Sequence, residues 1–215
     1  MNYTMRDTQA RIAALGFSPG KIDGFSGPKT RAAISLALKM FDCKTSNELF
    51  HPSGLHRIHW HWTAGATGVI ELERKSYNDI HDKHGNTYDG NWRAEAQANY
   101  SAGRTGASHT LNANTGAIGQ SMDCMAGAVE KPYKAGSNPI TWNHVNAMLD
   151  RSAEYCREFD IPVSKYSTLS HAEIQPTLGI KQRFKWDITI LPDMDKPGDP
   201  IKVGDRLRKM LQERL

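Results

Sequence analysis

The chain has 215 residues, of which 39% are hydrophobic and 23% charged, and carries a net charge of +4. That balance belongs to a folded globular protein; it excludes a disordered chain, and the lack of any run near ~18 apolar residues argues against membrane-spanning helices. The small basic excess suits an anionic partner without identifying one, since nucleic acid, anionic lipid and anionic cell wall all qualify; because it is not gathered into one stripe, a nucleic-acid binder is the weakest of these.

The opening residues, Met-Asn-Tyr-Thr-Met-Arg-Asp, contain no apolar segment, so no secretory signal is expected and synthesis in a cytoplasm is. Cys43, Cys124 and Cys156 are odd in number and widely spaced, and read as reduced core residues. Residues 1–46 predict a small helical domain. Met5, Ile12 and Leu15 sit at helical spacing before Gly16. A turn-rich loop runs from Phe17 to Gly27. Ser26 or Gly27 then caps a second helix with Pro28 in its first turn and Ile34, Leu38 and Phe41 as its apolar stripe. So short a unit has a marginal core and should lean on its neighbour. Residues 47–54 predict a linker, and 55–215 a larger domain.

The larger domain opens on Arg57-Ile-His-Trp-His-Trp-Thr-Ala-Gly65. Ile58, Trp60 and Trp62 alternate with His59, His61 and Thr63, so one face of a strand is apolar and the other carries two imidazoles. Residues 76–81 predict a second strand, and His84-Gly85-Asn86 a hairpin turn returning through Thr87 and Tyr88. His81 and His84 flank that turn and are expected in solvent. Residues 91–115 read mostly as loop, and Ala117–Ala126 as a central strand. Thr141 caps an amphipathic helix running to Phe159, with Val145, Met148, Leu149, Tyr155 and Cys156 inward and His144 at the surface. Tyr166–Ser170 predicts a short strand leading into His171. Asp199 and Pro200 start a last helix with Val203, Leu207, Met210 and Leu211 inward. Trp60, Trp62 and Trp186 read as core or site wall.

Two imidazoles and a carboxylate, His61, His171 and Asp187, would suit Zn²⁺ with a fourth position left for water, but nothing in the spacing alone brings them together. His59 shares the face of His61 and is the alternative ligand.

Two resemblances connect these pieces. Leu15-Gly16-Phe17, Gly20, Asp23-Gly24, Phe25-Ser26-Gly27 and Thr30-Arg31-Ala32-Ala33-Ile34 resemble the peptidoglycan-binding domain of cell-wall hydrolases, which implies a small three-helix domain that holds wall. Residues 55–191 resemble the zinc-dependent N-acetylmuramoyl-L-alanine amidases, the superfamily of phage lysozyme-amidases and peptidoglycan recognition proteins. The matching pieces are His61-Trp62-Thr63-Ala64, Tyr77 with Gly85, Ser108-His109 before Ile118-Gly119, Ser170-His171-Ala172-Glu173, and Lys185-Trp186-Asp187.

The resemblance implies an α/β fold with a mixed central sheet flanked by helices, and zinc on His61, His171 and Asp187. It implies Tyr77 and Lys185 as catalytic residues and His109, Thr63 and Ser108 as substrate contacts. Glu173 would orient a neighbour of the metal. The implied activity is cleavage of the amide between N-acetylmuramic acid and L-alanine. With no signal segment, the domain order resembles a monomeric endolysin made in the host cytoplasm and released to the wall by a separate factor. The alternative is a peptidoglycan-binding protein without activity. Two departures stand out. The stretch from His171 to Asp187 is longer than in compact members, so an extra loop is expected. Some members carry a glutamate where this chain has Ser121, with Asp123 as a possible substitute, and this favours a tyrosine-based mechanism.

Overall fold

The computed structural model describes residues 4–40, 44–50 and 54–215, apart from the side chains of residues 47 and 48. Phe41 and Cys43 lie outside them. The architecture is mixed α/β, a five-stranded sheet flanked by helices and preceded by helices α1 (Met5–Ala14), α2 (Pro28–Met40) and α3 (Ser46–Leu49). The last of these folds a turn of helix within the stretch expected as linker, and Phe50 just beyond it is buried.

The sheet order is β3-β2-β4-β1-β5, with β1 Arg57–Trp62, β2 Asp79–His81, β3 Thr87–Asp89, β4 Ala117–Met122 and β5 Thr168–Ser170. All neighbours are parallel except the β2–β3 hairpin. β1 lies between β4 and β5, so all six of its residues are buried. Its alternation therefore sorts two buried faces rather than a wet and a dry one. Ile58, Trp60 and Trp62 join Ile118 and Met122 under helices α5 (Trp142–Glu158) and α7 (Pro200–Gln212), which contribute Val145, Met148, Leu149, Val203, Leu207 and Leu211. The Trp60 indole N–H, which would otherwise be a buried orphan donor, reaches Ser152 Oγ at 3.0 Å. Thr141 and Asp199 cap α5 and α7 through their side chains, as expected.

Several elements differ from the sequence reading. The second strand is only Asp79–His81, because α4 (Glu71–Ser76) occupies the residues before it and Tyr77 is the residue that ends that helix. Strand β5 begins at Thr168 rather than Tyr166. His81 and His144 are fully buried, not in solvent. His81 packs inside the sheet with Nδ1 3.0 Å from Thr87 Oγ1, and His144 joins the cap of α5 to Asp123, its Nε2 2.9 Å from Asp123 Oδ1. Cys124 and Cys156 are free and buried, and burial pushes both thiols up.

The N-terminal helices have a thin core of Ile12, Ala33 and Ala37. The fully buried Gln9 ties their loop together, its amide donating to the carbonyls of Lys21 and Phe25 and accepting from Gly24 N–H. Helix α1 rests on the larger domain. Ala10 packs with Leu169, Ile174 and Leu178, Arg6 donates to the Leu178 carbonyl, and Asp7 pairs with the buried Arg57 at the head of β1.

Candidate metal centre

β1 carries His61 to the end of the sheet, and β5 ends on Ser170 with His171 opening the short helix α6 (His171–Glu173) beside it. Glu173 closes this turn by accepting from Ser170 N–H at 2.9 Å, and its other oxygen pairs with the buried Arg208 of α7 at 2.7 Å. It thus fixes the backbone at His171 and anchors α7, touching none of the three candidate ligands. Beyond α6 come a single wide turn, Ile174–Leu178, and the extra loop. That loop brings Asp187 back, where its carbonyl accepts from Ala172 N–H at 2.6 Å.

His61, His171 and Asp187 converge, all buried. His61 Nδ1 lies 3.0 Å from His171 Nδ1 and 3.3 Å from Asp187 Oδ2, and His171 Nδ1 lies 3.2 Å from the same oxygen. A tetrahedral metal with bonds of about 2.0–2.1 Å holds its ligand atoms about 3.3 Å apart.

The hydrogen-bond partners of the two rings say what these atoms carry. His109 Nε2 is 3.0 Å from the Ala117 carbonyl, which can only accept, so the proton sits there and His109 Nδ1 is bare. That bare nitrogen faces the Thr110 hydroxyl at 2.9 Å and His61 Nε2 at 3.2 Å, and when it accepts the His61 N–H it leaves His61 Nδ1 as a lone pair. Gln182 donates its amide to the Leu111 carbonyl at 2.9 Å, so its Oε1 is the atom facing His171 Nε2 at 3.1 Å. His171 therefore also holds its proton on Nε2 and offers Nδ1. Two imidazole nitrogens and a carboxylate oxygen meet here, a donor set that fits a divalent cation once both nitrogens are bare. Burial pulls His61 down to about 4 against the opposing Asp187 hydrogen bond, so the ring is neutral at pH 7. Burial works to raise the Asp187 carboxyl, but the adjacent imidazoles outweigh it and hold it below the usual range.

His59 is deeper along the strand, with Nδ1 3.1 Å from Thr110 Oγ1, and is not among the converging donors. Gly119 of β4 explains the Ile118-Gly119 pair: a Cβ there would lie 2.4 Å from the His109 ring, so only glycine lets that ring pack on the sheet. The Tyr77 ring stands 5.3 Å from that of His61. Burial first, then the Asp187 charge, pushes the phenol well up, with the Ser121 hydroxyl opposing. Ser121 is buried on β4 opposite His61. Asp123 has both oxygens engaged, by His144 and by Gly68 N–H at 2.8 Å. Thr63 is half-buried and accepts from Gly65 N–H at 3.0 Å, bracing the loop after β1.

A groove of ≈ 670 Å³ opens beside the centre. Ser108, His109, His171, Gln182 and Lys185 are among its walls. Ser108 is exposed and bonded to Tyr100 Oη at 2.9 Å, and Lys185 is exposed. Both nitrogens of His109 point inward to protein partners. Gln182 is the residue the sequence reading missed; it lies in an irregular loop with no period or motif to mark it.

No family model matches the chain, and no curated protein does. Among solved structures, the N-acetylmuramoyl-L-alanine amidase LysC from Clostridium intestinale URNW is similar at 13% identity and a TM-score of 0.44, over 74% of this chain and 86% of that one. At that distance the likeness assigns no chemistry to this chain.

Proposed function

We propose that this chain is a zinc-dependent peptidoglycan hydrolase that cleaves the amide between the lactyl group of N-acetylmuramic acid and L-alanine. The observation that carries the reading is the convergence of His61 Nδ1, His171 Nδ1 and Asp187 Oδ2, with His171 on the wall of an open groove. Those three atoms would hold the ion. Zinc, when bound, supplies a Lewis acid that polarises the scissile carbonyl and lowers the pKa of water towards ~7.

The chain's own residues do the rest. Lys185 lines the groove beside His171, and its charge is felt at His61. It would stabilise the negative charge that grows on the carbonyl oxygen. Tyr77, whose ring stands 5.3 Å from that of His61, would donate a hydrogen bond that orients the attacking water. Ser108 offers a hydroxyl from the groove wall, Thr63 braces the loop beyond β1, and His109 holds the His61 tautomer from behind. The first 46 residues would anchor the protein on wall. The chain would act as a monomer, an endolysin made in the host cytoplasm and released to the wall by a separate factor.

Mass spectrometry of peptidoglycan digests, with and without a chelator, tests this. Free peptides beginning with alanine, lost on chelation, are expected. New reducing sugar ends would mean a glycosidase, and an undigested wall that still retains the protein would mean a binding protein.

A further inference from the structure

We infer that Arg6, in helix α1 of the N-terminal unit, is a positioning residue for the candidate ligand His171, acting through the turn from Leu178 to Gln182. This rests on the metal-centre reading above. The His171 ring is held from behind by Gln182, whose Oε1 lies 3.1 Å from His171 Nε2. Gln182 sits in no helix or strand, so its own bonds keep it in place. Its N–H donates to Gln175 Oε1 at 2.8 Å, and its amide donates to the carbonyls of Leu111 at 2.9 Å and Ile180 at 3.3 Å. Gln182 is therefore tied to two segments, the wide turn before it and the loop at Leu111.

The N-terminal unit lies against both segments. Ala10 and Ile22 pack in one cluster with Ile174, Leu178 and Ile180, and with Ala113 just beyond Leu111. The Arg6 guanidinium clasps two carbonyls at once: Nη1 donates to Leu178, and Nη2 donates to Asp23 at 3.0 Å. Carbonyls that end a helical turn have no partner within it, and Arg6 supplies a charged donor for that of Leu178. Gly179 follows in the left-handed region at φ 67°, and a Cβ there would run into the guanidinium. Only glycine suits both that backbone and that approach. Gly179 N–H donates to the Gln175 carbonyl at 3.0 Å, so Gln175 holds Gly179 with its backbone and Gln182 with its side chain. Arg6 thus fixes one end of the turn whose other end orients the His171 ring. Loss of a group that orients a metal-bound imidazole weakens metal binding about 10–100-fold, and Arg6 acts one residue further out, so the lower end applies.

The test is zinc competition against a chelator of known affinity on the full-length protein, read beside hydrogen exchange of the metal-free form. Arg6→Ala should weaken zinc binding about tenfold, and Arg6→Lys, whose ammonium can serve one carbonyl but not both, should recover part of the loss. In Arg6→Ala the amides of Gly179 and Gln182 should exchange about tenfold faster while those of α5 keep their native rates. Asp7→Ala is the control for mere stability. It cuts the tie of α1 to Arg57, at the far end of β1 from His61, and should lower the urea midpoint while zinc affinity stays within about twofold of native. Native zinc affinity in Arg6→Ala, or an equal loss in Arg6→Ala and Asp7→Ala, would overturn the inference. A native chain that binds no zinc would defeat the metal reading instead; unchanged exchange at Gly179 and Gln182 in Arg6→Ala would then defeat the brace as well, and faster exchange there would leave the brace standing.

Discussion

His109 Nδ1 lies 3.2 Å from His61 Nε2, on the side of that ring away from Asp187, and its own Nε2 is 3.0 Å from the Ala117 carbonyl. The carbonyl of a central strand thus sets the His109 proton on Nε2 and leaves its Nδ1 as an acceptor for His61 Nε2–H, shared with the Thr110 hydroxyl at 2.9 Å. His109→Phe keeps a ring and removes both nitrogens. Loss of such an outer partner weakens metal binding by about 10–100-fold. Competition against a chelator of known affinity should show this loss, with all three ligands intact. Unchanged zinc affinity would show that His61 adopts its tautomer unaided.

Tyr77 and Lys185 should act on the rate more than on binding. Removing a donor aimed at a developing oxyanion typically costs about 10²–10³ in kcat. Lys185→Ala should fall in that range with KM little changed. Tyr77→Phe keeps the ring against His61 and removes the hydroxyl; kcat should drop by at least about tenfold with zinc content and Tm near native. A rise in KM at constant kcat in Lys185→Ala would make that residue a substrate clamp.

Asp7 joins the N-terminal helices to the larger domain. Its partner Arg57 is 2% exposed, so removing the carboxylate leaves a buried charge without its counter-ion. Asp7→Ala should lower stability by about 3 kcal/mol, at the lower end for a broken buried pair. A shift in the urea midpoint measures it. The same contact bears on removal of the first 46 residues, which would strip Arg57 of this partner and uncover Leu169, Ile174 and Leu178. An unchanged midpoint in Asp7→Ala would mean that α1 is a detachable tether.

Acid should destabilise the fold through His81. Burial holds its pKa down to about 3, while an unfolded histidine titrates near 6.5. The unfolded chain therefore binds the extra proton between these values. The contribution is fully present above pH 6.5 and is lost as pH falls towards 3, at about 1.4 kcal/mol per pH unit for one group. His81→Asn should flatten the fall in the urea midpoint between pH 6 and pH 4. An identical slope would assign acid sensitivity to other groups.

The sequence was most legible where one element carried its own signal. The alternation in β1, the Gly85 hairpin and the capped helices α5 and α7 each rest on local pattern, and each is in the structure. Helix α4 was not legible: it is short and leaves Leu72 and Ile70 exposed, so no apolar stripe marks it. His81 and His144 were placed in solvent because polar residues near turns usually are; their burial depends on Thr87, Asp123 and Thr141, partners that only the fold supplies. The meeting of His61, His171 and Asp187 was expected from resemblance, not from spacing. Gln182 and the tautomer-setting role of His109 come from long-range hydrogen bonds that no local pattern encodes.

The central claim is that His61, His171 and Asp187 hold one zinc ion. Elemental analysis by plasma mass spectrometry on the purified native chain, His61→Ala and His59→Ala tests it most directly. One zinc per chain is expected in the native protein and in His59→Ala, and none in His61→Ala. Full zinc in His61→Ala, or a native chain that takes up no zinc from excess metal, would contradict the account.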